Sequence, residues 1–150
     1  MESITIIKSL FENFSQGNLE GIRNLWDENA VIEFPFAKAP EHKGEVGSVT
    51  AMMIAYSDVV DSRIEGKDNI MAFWKASVAG TNGGVMHYDF IESMQDNEWC
   101  VVRGRGEFKT VDGHDYNNEY CFMVQVRNGK ILHFYEYSNP LVTLASFEIV

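Results

Sequence analysis

A chain of 150 residues, 45% apolar and 13% aromatic, has the length of one domain and enough apolar side chain to close one core, which excludes intrinsic disorder. A formal net charge of −10 argues against nucleic acid and anionic membrane as partners, because both are held through excess Lys and Arg. No apolar run is long enough to cross a bilayer, and "MESITIIKSLFENF" carries Glu2, Lys8 and Glu12 where an export signal would be apolar, so a cytoplasmic location is expected.

In chain order, Ile4, Ile7, Leu10, Phe11 and Phe14 fall at helical spacing, and Gly17 stops the run. Leu19, Ile22, Leu25 and Trp26 predict a second short helix. "AVIEFPF" alternates into a strand that Pro35 ends or bends. Residues 37–63 are broken by Pro40, Gly44 and Gly47, although "VTAMMIAYSDVV" is apolar enough for a helix or a lid. A third helix is expected from Asp68, with Ile70, Phe73, Trp74 and Val78 on one stripe and "GTNGG" closing it. From Val85 onward, "VMHYDFIESM", "EWCVVRGRGEFKTV", "YNNEYCFMVQV" and "KILHFYEYS" have period two and predict four strands joined by turns at "QDN", "VDGHD" and "RNG". Helices first and an antiparallel meander after predict a single α+β domain over 1–150.

Asn128-Gly129 is the strongest hairpin signal in the chain, and a two-residue turn there sets Arg127 opposite Lys130. Counting back places Cys121 opposite Glu136 and Met123 opposite Phe134. The same count from Asp112-Gly113 sets Gly104 opposite Cys121 and Gly106 opposite Glu119. One sheet face then gathers Gly104, Gly106, Cys121, Met123, Phe134 and Glu136, with Glu119 at its margin. The other carries Tyr120, Phe122, Tyr135 and Tyr137. Glycine weakens a strand interior unless its room is needed, so this pattern reads as a hollow with Glu136 aimed into it. Spacing alone leaves a second reading open: Glu136 at a solvated strand end, or paired with Arg103 or Arg105 after a register slip, with the glycines marking a bulge.

"GNLEGIRNLWDENAVIEFP" followed by "RIEGKDNIMAFW" resembles the nuclear-transport-factor-2-like superfamily, which includes ketosteroid isomerases and SnoaL-type polyketide cyclases. Trp99, Gly104-Arg105-Gly106, Tyr116, Asn118, Tyr120, Asn128-Gly129-Lys130-Ile131, Glu136-Tyr137 and Asn139-Pro140 resemble the phenazine-biosynthesis A/B branch. The resemblance implies a cone-shaped, curved antiparallel (mixed) sheet wrapped by three N-terminal helices, a deep apolar pocket and a homodimer through the outer sheet face. The isomerase base position falls on Phe34, its helical tyrosine on Leu10 and its late acid near Met123, so the residues do not support steroid isomerase chemistry. The phenazine glutamate matches Glu136, whereas the histidine that accompanies it falls on Phe73.

Glu136 is the candidate general acid–base: a carboxyl among apolar neighbours should have a raised pKa, and a nearby Glu119 would raise it further. Trp26, Phe34, Phe36, Tyr56, Phe73, His87, Gly104, Gly106, Glu119, Cys121, Met123 and Phe134 are the candidate ligand-binding residues, Tyr56 as a lid with Met52 and Met53. His87 and Tyr88 are adjacent on a strand, so one of them faces inward. The histidines, His42, His87, His114 and His133, show no metal-ligand spacing, and Cys100 and Cys121 read as reduced, so no metal or cofactor is expected. Three functions remain open: an isomerase, cyclase or condensation-type enzyme acting on a cyclic, partly apolar metabolite, a non-catalytic binder of such a small molecule, and a dimeric interaction module.

Overall fold

The helical spacing at the start of the chain forms α1 (Ser3–Ser15), which buries Ile6, Ile7, Leu10 and Phe11. The computed structural model describes residues 3–39, 41–93 and 98–147, with backbone alone over 89–93. Among these residues α1 is joined by α2 (Leu19–Arg23), α3 (Ser48–Val59), α4 (Lys67–Gly80) and α5 (Pro140–Ser146). They pack on a six-stranded sheet of β1 (Trp26–Glu33), β2 (Arg63–Glu65), β3 (Thr81–Ser93), β4 (Trp99–Thr110), β5 (Asp115–Arg127) and β6 (Lys130–Ser138), in the order β2-β1-β6-β5-β4-β3. The sheet is mixed: β1 runs parallel to β6 and every other pairing is antiparallel. This is the α+β architecture expected from the chain order.

The core lies between the inner sheet face and the helices, around Trp26, Ile32, Ile70, Trp74, Val102, Phe122, Val124 and Phe134. Each such side chain contributes about 1.5–3 kcal/mol when fully buried. α2 is shorter than its spacing suggests. Five residues make a marginal helix, and Trp26 joins β1 instead, where the Leu25 carbonyl accepts from Ile131 N at 2.8 Å. "GTNGG" does not close α4 outside the sheet: Thr81 and Gly84 already pair with Thr110 and Phe108. At Gly84 a Cβ would come within 2.4 Å of the Glu107 carbonyl, so only glycine lets these strands approach.

Two elements escape the sequence reading. β2 is too short to show alternation, with Ile64 buried between two exposed charges. α5 does carry a signal: Asn139 caps it by accepting from Leu141 N at 3.0 Å, and Pro140 sits at its first position. The segment "VTAMMIAYSDVV" forms α3, and the "QDN" turn lies outside the described residues.

Candidate functional site

The turn at Asn128-Gly129 forms as expected, with φ of 52° and 74° and Arg127 paired to Lys130. The register then slips. Val126 pairs Ile131, but Gln125 pairs His133, so Leu132 is an extra residue on β6. Phe122, and not Cys121, lies opposite Glu136. The second hairpin shifts too, because its loop is Val111-Asp112-Gly113: Thr110 N donates to His114 O at 2.9 Å, and Gly113 takes a φ of +86°. Gly104 therefore pairs Tyr120 and Gly106 pairs Asn118.

Both slips act on β5 and add to two residues between β4 and β6, so Glu136 keeps its face but lies in line with Val102 instead of Gly104. Gly104, Gly106, Phe134 and Glu136 share the inner face as expected, while β5 is turned over between them. Tyr120 and Phe122 point inward and are buried; Cys121 and Glu119 are exposed, and Met123 is on the outer face. Phe122 thus cannot belong to an outer interface, and the expected places of Cys121, Met123 and Glu119 are corrected. Arg103 and Arg105 are exposed on the opposite face of β4, out of line with Glu136.

Inside, a cavity of about 380 Å³ opens between the sheet and α1, α3, α4 and α5. Phe11, Phe14, Phe34, Phe73, Trp74, Phe108 and Phe147 supply most of its wall, and Tyr56, Tyr116, Tyr120, Thr143 and Glu136 its main polar groups. Of the expected ligand-binding residues, Phe34, Tyr56 and Phe73 line it. Trp26 and Phe134 are core residues behind the wall, with ring centroids 5.7 Å apart. Phe36 stands between Phe34 and Tyr56, at centroid distances of 6.5 and 5.8 Å, as support. His87 does not line the cavity: it pairs with Glu107 at 3.4 Å, while its neighbours Met86 and Tyr88 pack against the core.

Gly104 and Gly106 do not themselves border the void. Their missing side chains are replaced by neighbours: a Cβ on Gly106 would lie 2.9 Å from Phe108 and 3.0 Å from Tyr120, and one on Gly104 3.0 Å from Met86 Sδ. The glycines form a floor on which three cavity-lining side chains rest. Tyr116, Tyr120 and Thr143 were missed as lining residues because the hairpin count faced β5 the wrong way and α5 went unread.

Among the described residues no side chain hydrogen-bonds the Glu136 carboxyl. Glu136 as a residue is half-buried and lines the cavity. Burial pushes its pKa up to about 8, so it is largely protonated at neutral pH. Burial also raises the pKa values of Tyr56, Tyr116 and Tyr120, with the charge of Glu136 adding to each. All three hydroxyls therefore stay protonated at neutral pH.

α5 is held in place by the buried Asn118, whose amide donates to Asn139 O at 3.0 Å and accepts from Asn139 N at 3.2 Å. It brings Thr143 Oγ1 to 3.1 Å from the Tyr116 hydroxyl. The site thus provides one proton-exchanging carboxyl, a set of neutral hydroxyls and a broad aromatic wall. The described His, Cys, Asp and Glu side chains form no group of three or more that would hold a metal. The two cysteines are free, Cys100 inside and Cys121 outside.

A family profile described as "SnoaL-like domain" matches residues 7–134. The "Uncharacterized protein YesE" of Bacillus subtilis is 26% identical over 124 residues, 82% of this chain and 71% of that protein. A proposed isomerase from Bacillus subtilis has a similar crystal structure, with a TM-score of 0.78, 22% identity and coverage of 99% of this chain and 94% of that one. TerC, co-crystallized with polyporic acid, superposes with a TM-score of 0.71 at 14% identity, covering 97% of both chains.

Proposed function

The chain belongs to the SnoaL-like domain family and has the nuclear-transport-factor-2-like fold, and on that footing we propose that it binds a cyclic, partly apolar metabolite and moves a proton on it through Glu136, as an isomerase or cyclase does. The observation that carries this reading is the unpartnered carboxyl on the wall of an aromatic cavity of about 380 Å³. A pKa of about 8 suits general acid–base work, because the group can both give and take a proton near neutral pH. The tyrosine hydroxyls serve as donors to a developing oxyanion. Tyr56 on α3 and Thr143 on α5 add hydroxyls to the lining. Similarity to a proposed isomerase and to TerC, which was co-crystallized with polyporic acid, supports this reading.

The experiment is proton–deuterium exchange on a panel of cyclic C–H acids in heavy water, followed by NMR. Wild-type protein should label one ring class, and Glu136→Gln, at saturating ring concentration, should lose about 10²–10⁴-fold in exchange. Equal exchange by both would remove Glu136 from the chemistry.

A non-catalytic binder is favoured by one fact: the other titratable cavity groups are tyrosines held protonated, so the carboxyl has no base or acid partner poised near neutrality. Binding without exchange on any ring would select it. We propose that a second copy of the chain packs on the outer sheet face, where the Tyr135 ring stacks with those of His133 and Trp99 at centroid distances of 4.4 and 6.3 Å.

A further inference from the structure

We infer that the cavity is built for an organic cation, a ring bearing a positively charged nitrogen that sits against Glu136 and the surrounding aromatic faces. The inference rests on the reading that the cavity binds a small molecule, and adds the charge of that molecule. Its basis is an imbalance of charge in the lining. Glu136 is an acid, and among the described residues neither Lys, Arg nor His lines the cavity. The titratable groups that face it are Tyr56 from α3 and Tyr116 and Tyr120 from β5; α5 presents the uncharged Thr143, and α1 and α4 present aromatic and small side chains.

Nothing in the described protein compensates an ionised Glu136. A buried charge is tolerated when it is paired, and here the partner must come with the ligand. An anion would meet a carboxyl and no counter-charge. A neutral ring fits sterically but gives the ionised carboxylate no counter-charge. A cation satisfies both walls: it pairs with the carboxylate, and the aromatic faces attract it through their quadrupoles, an interaction that strengthens when water is excluded.

The pairing also has a chemical consequence. The resting carboxyl is an acid; a bound cation expels its proton to solvent and turns it into a base. Where the ring nitrogen is part of a C=N⁺ bond, the C–H bonds next to that group are acidic: the carboxylate takes one such proton, the C–H electron pair forms a new C=C bond, and the C=N⁺ π pair becomes the lone pair on a neutral nitrogen. Return of that proton to another position completes an isomerisation without loss of atoms or charge. The charge of the ligand thus prepares the group that acts on it.

The test uses three probes against wild-type protein and Glu136→Gln: benzyltrimethylammonium, benzyl alcohol and benzoate, by calorimetry from pH 6 to 9. Affinity of the wild type for the ammonium should rise about tenfold per pH unit up to pH 8 and then level, since one proton must leave. At pH 7, comparison of buffers with different ionisation enthalpies should show about 0.9 of a proton released per cation bound. Benzyl alcohol should bind without pH dependence, and the Gln variant should lose the rise for the ammonium. Benzyl alcohol binding as tightly as the ammonium at pH 8.5 would overturn the cation inference and leave the small-molecule site standing. Tighter binding of benzoate would do the same. Binding of no probe would overturn both. Should the variant not fold, the proton release by wild-type protein decides alone.

Discussion

Replacing Glu136 by Gln should make the protein more stable, and by an amount that grows with pH. In the folded chain the carboxyl holds its proton up to a pKa of about 8, against 4.5 for an ordinary glutamate, because burial disfavours its charged form. The folded state therefore binds the proton more tightly than the unfolded state. This contribution to stability is fully present below pH 4.5 and is lost as pH rises to 8. At about 1.4 kcal/mol for each tenfold change in proton affinity, the whole interval amounts to about 5 kcal/mol, a large part of the ~5–15 kcal/mol that holds a domain together. Glutamine has nearly the same shape and no proton to lose. Urea unfolding of both proteins, followed by tryptophan fluorescence at pH 5, 6, 7, 8 and 9, isolates the effect, since every other titrating group cancels in the difference. The variant should gain on the wild type by about 1.4 kcal/mol per pH unit up to pH 8 and then run parallel to it. Curves that stay parallel throughout would refute the burial of this carboxyl.

Gly106→Ala should cost about 1–3 kcal/mol, because its methyl group would lie 2.9–3.0 Å from Phe108 and Tyr120, and ligand binding should weaken as Tyr120 moves; thermal melting at unchanged stability would contradict the floor assigned to β4. Asn118→Ala removes the amide that ties α5 to β5 and should lower stability by about 1–3 kcal/mol, with hydrogen exchange rising first in Pro140–Ser146; unchanged protection there would place the anchor elsewhere. Tyr135→Asp should give monomers in sedimentation, since it puts a charge in the outer aromatic stack beside Glu33; an unchanged sedimentation coefficient for a dimeric wild type would move the interface off this face.

The architecture was legible because apolar spacing carries it: α1, α4 and β4 to β6 follow from periodicity with few competing signals. The side-chain content of the site was less legible. Strand faces depend on parity, and two single-residue features, the three-residue loop ending at Gly113 and the extra Leu132, each change it by one. Gly113 at the end of "VDG" was a readable sign of the longer loop. Leu132 left none, since an apolar residue there suits either face. Glu136 kept its face because β4 and β6 are related through β5, so two single-residue shifts add to two and restore the parity, leaving it beside Phe122 and Val102 instead of Cys121 and Gly104. Tyr116 and Tyr120 changed sides for the same reason. Thr143 required α5, whose cap at Asn139-Pro140 was visible in the sequence. The charge of the outer face has its own logic: burial pushes the Glu33 carboxyl up, yet hydrogen bonds from His133, Tyr135 and Arg63 outweigh it and hold the pKa below the usual range. The His133 to Glu33 contact at 2.6 Å joins β6 to β1 there, a parallel pairing that local spacing cannot announce.

The most direct measurement is a carbon-13 NMR titration of the glutamate side-chain carboxyls, with the Glu136 signal assigned by its loss in Glu136→Gln. A midpoint near 8 is expected for that resonance. A midpoint near 4.5 would mean that the carboxyl is solvated like any surface glutamate, and would contradict the enclosed acid on which the proposed chemistry depends.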